Sequence, residues 1–310
     1  MNAATPLWAA LLGVGIVVIA GSYLTAVADR VIGQVVAHQG MHWRTALIGP
    51  ARSAALSMVQ GRTVTERSDA PAWALAPALY LALAATALSV VPLSRTAVGA
   101  DVAAGLVLFG AAQALATIPV FLNGWSSNSM LPEIGAFRFI AQALSYEMPN
   151  LLALLAVSVP AASLRITDIV ISQQHLWNIV RIPLGLPLFL FASAGLAFWG
   201  PFNLPDGADL AGGTAAETSG VHLLIWKAGR ASMLVATAAM GAAAFVGGWI
   251  GPVLPGWVWM LLKTSVLLIA LVSTRHLAGR VRIERYVVIC WAVLIPLALL
   301  NVVIAAVVSL

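Results

Sequence analysis

Long apolar stretches alternate with short polar segments along the whole chain. The stretches 8–28, 73–92 and 102–121 contain no charged side chain. A helix of about 20 such residues, rising 1.5 Å per residue, crosses a hydrocarbon core of ~30 Å. The pattern predicts about eight transmembrane helices, over residues 8–28, 73–92, 102–121, 139–162, 179–199, 221–246, 257–274 and 286–309.

Composition supports this prediction, since 61% of the residues are hydrophobic and 9% are charged. Soluble domains carry roughly 25% charged residues. The strict alternation of a membrane β-barrel is absent from the sequence. We therefore predict an all-α integral membrane protein, with residues 1–310 forming a single membrane domain. No Lys or Arg precedes the first stretch, so we expect it to be retained as a helix rather than removed as a signal peptide.

Arginine residues are concentrated in two of the predicted loops. The long first loop holds Arg30, Arg44, Arg52, Arg62 and Arg67, and the seventh holds Arg275, Arg280, Arg282 and Arg285. Because cytoplasmic loops carry an excess of basic residues, we predict that both loops are cytoplasmic and that both termini face outward. The net charge of +5 largely reflects this topology, and we expect no nucleic-acid partner.

Few side chains in the sequence can hold a cofactor. Cys290 is the only cysteine, so it cannot by itself hold an iron–sulfur cluster or a zinc ion. His38 and His42 are four residues apart, with no acid or thiol beside them, which makes a weak metal site. No glycine-rich nucleotide motif is present. We predict that the chain itself carries no metal, nucleotide or electron-transfer cofactor.

Several charged residues fall inside the predicted spans. A carboxylate at the depth of Glu147 costs about 2.5–3.5 kcal/mol, so it is either a proton-relay group or a buried acid that fastens two helices. Lys227 and Arg230 share one helix face, either as a charged cavity wall or as side chains that extend toward the membrane surface. Lys263 is expected to extend toward the outer surface.

Residues 200–220 are rich in glycine and proline and contain Asp206, Asp209 and Glu217 without any cation. An acidic loop is unusual on the side where loops are basic. It is either a flexible acidic element near a proton or quinone pathway or a solvated turn. Residues 45–60 combine Arg52 with apolar neighbours, which suggests a helix along the membrane surface.

Several motifs resemble the membrane component of respiratory complex I that is called H in bacteria and subunit 1 in mitochondria. The most specific is GWSSNSMLPEIGAFRFIAQALSYE, ending at Glu147. The others are TDIVISQQHLWNI from Thr167, PFNLPDGADL from Pro201, FVGGWIGPVLPG from Phe245 and WMLLKT from Trp259. Their order and spacing are similar to the family along most of the chain.

The resemblance implies a subunit of the proton-pumping NADH–quinone oxidoreductase, located in the bacterial plasma (inner) membrane. It implies membrane-arm and peripheral-arm subunits as partners, quinone as substrate, and FMN and iron–sulfur clusters on the partners. It places Glu133, Glu147, Asp206, Asp209, Glu217 and Arg230 on a proton path. It places Arg30, His38, Arg138 and Phe202 at the quinone chamber.

The chain also departs from the family at charged positions. Ala28 and Asp29 replace a glutamate and an arginine, and His38 replaces an arginine. Arg230 stands where the family has a membrane-embedded glutamate of the proton path. We expect Arg230 to act as an internal counter-ion that keeps Glu147 or the loop acids ionised.

Three functions remain open at this stage. The first is a working quinone-chamber and proton-path subunit. The second is a divergent paralogue that serves as a scaffold in a complex I-like or hydrogenase-linked assembly without quinone chemistry. The third is a stand-alone transporter, which is less favoured because no inverted repeat is detectable.

Overall fold

The computed structural model describes residues 7–38, 40, 42–95 and 97–309, and these contain helices and turns but no strand. The α-helices are α1 (Leu7–Val36), α2 (Trp43–Val59), α3 (Ala70–Ser89), α4 (Gly105–Leu115), α5 (Thr117–Trp125), α6 (Met130–Ala161), α7 (Ile166–Ile171), α8 (Asn178–Arg181), α9 (Gly185–Leu196), α10 (Gly220–Phe245), α11 (Gly256–Leu277), α12 (Ile283–Ile289) and α13 (Ile295–Ser309). A π-helical turn, Cys290–Leu294, joins the last two.

Seven helical stretches in the described part of the chain are long and apolar enough to cross a membrane. They are Leu11–Val36, Ala70–Ser89, Gly105–Trp125, Met130–Ala161, Gly220–Phe245, Gly256–Leu277 and Ile283–Ser309. They coincide with seven of the predicted spans. The prediction of an all-α integral membrane protein is therefore confirmed.

The fifth predicted span, 179–199, is wrong as a continuous helix. It is divided into the short α8 and the 12-residue α9, which at 1.5 Å per residue extends only about 18 Å. Pro183 causes the break, since a proline disfavours helical geometry in the residue before it. Ile182 accordingly has φ −135° and ψ 72°.

Alternate loops meet at the same end of the bundle. The Thr63 backbone N–H donates to Ser219 Oγ at 2.7 Å, and the Val281 N–H donates to the Pro201 carbonyl at 3.0 Å. This end, formed by residues 37–38, 40, 42–69, 126–129, 200–219 and 278–282, is called the arginine-rich end below. At the opposite end the Leu106 N–H donates to the Leu164 carbonyl at 2.9 Å. The alternation agrees with the predicted topology, although the six N-terminal residues and Leu310 lie outside the described part.

Helix α10 lies at the centre of the bundle. Most of its side chains are buried, whereas α1 and α13 expose most of theirs to the surroundings. Gly229 allows α3 to approach, because a Cβ at this position would lie 2.9 Å from Cδ1 of Tyr80. This close approach places Tyr80 beside the charged residues of α10.

Helix α2 confirms a helix in the region of residues 45–60. Its apolar side chains Trp43, Ile48, Leu56 and Met58 are exposed. The helix is attached to α1 by the Tyr23 hydroxyl, which donates to the Leu47 carbonyl. Its position along a membrane surface remains a prediction.

We expect cysteines introduced at Ala278 and Ala103, which are exposed at opposite ends, to react with a membrane-impermeant maleimide from opposite sides of the membrane. The buried Cys290 is first replaced by serine to remove background reaction. Labelling is measured in sealed vesicles of right-side-out and inside-out orientation. Reaction of both positions from one side would contradict the topology.

Candidate functional site

The acidic loop 200–220 is folded onto the bundle. It contains three 3₁₀ turns, Gly200–Phe202, Ala208–Leu210 and Gly213–Ala215. Leu204 and Leu210 are buried beneath them. Gly213 has φ +53°, and a side chain there would collide with the Pro205 carbonyl. The loop is thus a packed element that holds its acidic side chains in defined positions.

Arg230 and Asp206 form a buried ion pair between α10 and this loop. Arg230 Nη1 lies 3.0 Å from Asp206 Oδ2, and the side chains are 16% and 6% exposed. The Thr214 hydroxyl donates to the other carboxylate oxygen. Burial raises the pKa of Asp206, while Arg230 and the hydrogen bond from Thr214 act in the opposite direction. Arg230 therefore offsets the desolvation of the ionised carboxylate.

Two further contacts hold the Arg230 guanidinium. Nη2 donates to the Phe198 carbonyl at 2.6 Å, and the guanidinium carbon lies 4.1 Å from the centroid of the Phe198 ring. A cation above an aromatic face is stabilised by the ring quadrupole. The carboxylate partner of Arg230 is thus Asp206, and no ion pair in the described part of the chain joins Arg230 to Glu147.

Asp209 lies between two arginines at the arginine-rich end. Arg138 Nη1 is 2.6 Å from its carboxylate, and Arg280 pairs with the other oxygen. Partial burial acts to raise the pKa of Asp209, but the hydrogen bonds and charges of both arginines lower it to about 2. The bridge therefore persists at neutral pH. It borders a cavity of about 500 Å³ that Arg282 and Glu284 also line.

The other acids of the predicted proton path lie along α6 or face it. The Ser129 hydroxyl, just before α6, donates to Glu217 at 3.2 Å. Glu133 is exposed in the first turn of α6. Glu147 is half-buried and lies about 14 Å along the helix axis from Arg138, at 1.5 Å per residue. The structure thus gathers the loop acids with Arg138 and Arg230, while Glu147 lies deeper in the bundle.

The residues predicted at the quinone chamber fall into two places. Phe202 is buried, with its ring 4.4 Å from that of Phe191 and 5.1 Å from that of Tyr286. Arg30 is exposed, and its guanidinium covers Gly49 of α2. His38 follows the end of α1, with φ +52°. No hydrogen bond or ion pair between described residues joins Arg30 or His38 to Phe202.

The sequence did not predict a further charged contact, which joins α1 to α11. Asp29, about two turns before the end of α1, lies 2.8 Å from Arg275 and 2.9 Å from His276, both on α11. The sequence did contain a signal for this contact. Asp29 directly follows the apolar stretch 8–28, on the side of the membrane where the seventh loop is basic. This contact ties α1 to α11 near the acidic loop.

Lys263 extends toward the loop at the outer end, as expected, but its ammonium group binds backbone carbonyls there instead of reaching water. Its side chain is buried, and Nζ donates to the carbonyls of Gly248 and Ile250 at 3.0 and 2.8 Å. It also lies 4.3 Å from the centroid of the Trp177 ring. The free carbonyls of the loop after α10 satisfy the ammonium, so it does not need water.

Replacing Arg230 by Met should destabilise the protein by about 3–5 kcal/mol, because a buried carboxylate is left without its partner. The matched Arg280→Met variant breaks an exposed pair and should cost about 1 kcal/mol or less. Adding Asp206→Asn to Arg230→Met should recover part of the loss. Denaturant unfolding in mixed micelles measures all three variants. Equal costs for the two arginine variants would refute a buried ion pair.

Comparison with known proteins shows which family the chain belongs to. A family model described as NADH dehydrogenase matches residues 8–306. The H subunit of the NADH-quinone oxidoreductase of Geobacillus kaustophilus (strain HTA426) is 34% identical over 253 residues, which cover 80% of this chain and 76% of the relative. The chain belongs to the NADH dehydrogenase family, as its motifs predict.

Proposed function

We propose that the chain is the membrane-arm subunit of an NADH–quinone oxidoreductase that lines the quinone chamber and couples quinone reduction to proton translocation. The observation that carries the proposal is the packed acidic loop at the arginine-rich end. There two acids are held by three arginines, and α6 leads from this loop toward Glu147. The family match and the named relative support the same function.

The chemistry of quinone reduction fits such an arrangement. A quinone takes up two electrons and two protons, so its charge changes while it is being reduced. Partner subunits carrying FMN and iron–sulfur clusters would supply the electrons. Ionisable groups near the quinone would answer the change in charge by exchanging protons.

Individual residues have distinct roles in this proposal. Glu147 is a proton-relay carboxylate, and Glu133, Asp206, Asp209 and Glu217 connect the arginine-rich end to it. Arg230, which stands where the family has a glutamate, keeps the carboxylate of Asp206 ionised.

Arg30, His38, Arg138 and Phe202 belong to the proposed chamber wall. Arg138 forms an ion pair with Asp209. A change in the charge of a quinone beside Arg138 would therefore act on the carboxylate of Asp209 in the acidic loop. Arg30 and His38 lie by α1, whereas Phe202 lies in the acidic loop. A chamber that these three residues line must therefore extend from α1 to the acidic loop. The peripheral-arm subunits would close this chamber on its aqueous side.

The chain is a multi-pass membrane protein, and we place it in a bacterial plasma membrane with both termini outside. The other membrane-arm subunits and lipid then surround the exposed apolar faces of α1 and α13. A scaffold without quinone chemistry is less favoured, because the named relative is itself a quinone oxidoreductase subunit.

The test measures NADH oxidation, quinone reduction and internal pH together in proteoliposomes that contain the complete assembly. Glu147→Gln should lower proton translocation by about tenfold or more, because it removes a proton-transfer group. The control is Asp101→Asn, which removes an exposed carboxylate at the opposite end, where Asp101 pairs with Arg165.

Two results would contradict the proposal. Normal proton translocation in Glu147→Gln would exclude this carboxylate from the relay. An intact wild-type assembly that oxidises its electron donor without reducing quinone would instead support the scaffold function.

A further inference from the structure

The cavity beside the Asp209 bridge holds more cations than anions. Its charged lining residues are Arg138, Arg280, Arg282, Asp209 and Glu284. Asp209 is shared by Arg138 and Arg280. Among the residues that the structure describes, no ion pair joins Arg282 or Glu284 to a partner. The cavity therefore carries a surplus of positive charge, which favours an anion from outside the chain.

An apolar groove continues from this cavity along α12. The groove has a volume of about 300 Å³ and is lined by Glu284, Arg285, Val288 and Ile289. Glu284 lines both the cavity and the groove. Val288 and Ile289 follow Arg285 by three and four residues, so the three side chains share one helix face. Arg285 thus adds a further cation at the boundary between a charged cavity and an apolar surface.

Both features lie where the chain leaves the apolar part of the bundle. Helix α11 ends at Leu277, and the last spanning stretch begins at Ile283. The loop between them therefore lies at the level of lipid headgroups. Trp291 is exposed on the outer surface of this last stretch, about 9 Å along the helix axis from Arg285. An exposed tryptophan is typical of the boundary between headgroups and hydrocarbon.

We propose that the cavity and the groove together bind one anionic phospholipid, with its phosphate at Arg282 and Arg285 and an acyl chain along Val288 and Ile289. The guanidinium group presents N–H donors in a planar fork that matches phosphate oxygens. Basic pockets between transmembrane helices on the cytoplasmic side bind such headgroups. The inference goes beyond the proposed function, because Arg282 and Arg285 have no role in the proposed quinone and proton chemistry.

The apolar groove favours a lipid over other anions. A free phosphate, or a carboxylate from a partner protein, would satisfy the arginines but leave the groove beside them empty. A phospholipid fills both, since its charged headgroup and its hydrocarbon chain meet at the depth where Arg285 lies. The Glu284 carboxylate repels a phosphate, so its charge lowers the affinity of the site and gives a test of opposite sign.

The experiment measures photocrosslinking in the complete assembly, reconstituted in nanodiscs of phosphatidylcholine. A trace of phosphatidylglycerol with a diazirine in one acyl chain is the probe, and phosphatidylcholine with the same group is the comparison. Mass spectrometry measures the labelling of residues 283–300. The phosphatidylglycerol probe should label this segment several-fold more than the phosphatidylcholine probe, because only the former carries a net negative charge.

The double variant Arg282→Gln/Arg285→Gln should lower labelling by the anionic probe about 30-fold. Each basic residue near a membrane surface contributes about 1 kcal/mol to the binding of anionic lipid, and 1.4 kcal/mol corresponds to a factor of ten. The matched control, Arg52→Gln/Arg67→Gln, removes two exposed arginines elsewhere at the same end and should leave labelling of this segment unchanged.

Two further measurements do not depend on weakening the site. Glu284→Gln should increase labelling by the anionic probe, because it removes the repelling carboxylate. Inorganic phosphate in excess, at constant ionic strength, should leave the labelling unchanged, because it cannot replace the contacts of the acyl chain.

Four results would overturn the lipid site. They are equal labelling by the two probes, unchanged labelling in the Arg282→Gln/Arg285→Gln variant, loss of labelling with inorganic phosphate, and absence of labelling by both probes. The third would show a site for a free anion, and the fourth would show that a partner protein covers the groove. None of these measurements involves turnover, so the proposed function can fail while the lipid site is confirmed, and the reverse.

Discussion

The buried ion pair between Arg230 and Asp206 is the contact on which the organisation of the site depends. Neither charge is tolerated alone, because removing an ion from water costs several kcal/mol even after relaxation. The pair therefore forces α10 and the acidic loop to fold together. The bond from Arg230 to the Phe198 carbonyl adds the end of α9 to the same junction.

Other charged contacts extend this junction across the arginine-rich end. Asp209 ties α6 to the loop before α12, and Asp29 ties α1 to α11. Exposed pairs contribute little to stability, but they show which elements are neighbours. The result is a charged layer above an apolar bundle. In the function we propose, a change in the charge of a bound quinone would act on several carboxylates of this layer.

The sequence predicted seven helical spans correctly, because apolar stretches of that length have few alternatives in a membrane. It failed at the fifth span, where Pro183 breaks the helix without interrupting the apolar pattern. It also left the partner of Arg230 undecided between Glu147 and the loop acids, since periodicity assigns a residue to a face and does not identify what packs there. The burial of Lys263 was missed because its partners are backbone carbonyls, which leave no signal in the side chains.

A charge swap tests the role of the ion pair most directly. Arg230→Asp and Asp206→Arg are prepared separately and together, and the amount of assembled complex in the membrane is measured by native electrophoresis. The account predicts that each single reversal prevents assembly, because it buries two like charges, and that the double variant restores a substantial fraction. Normal assembly of either single reversal would contradict it.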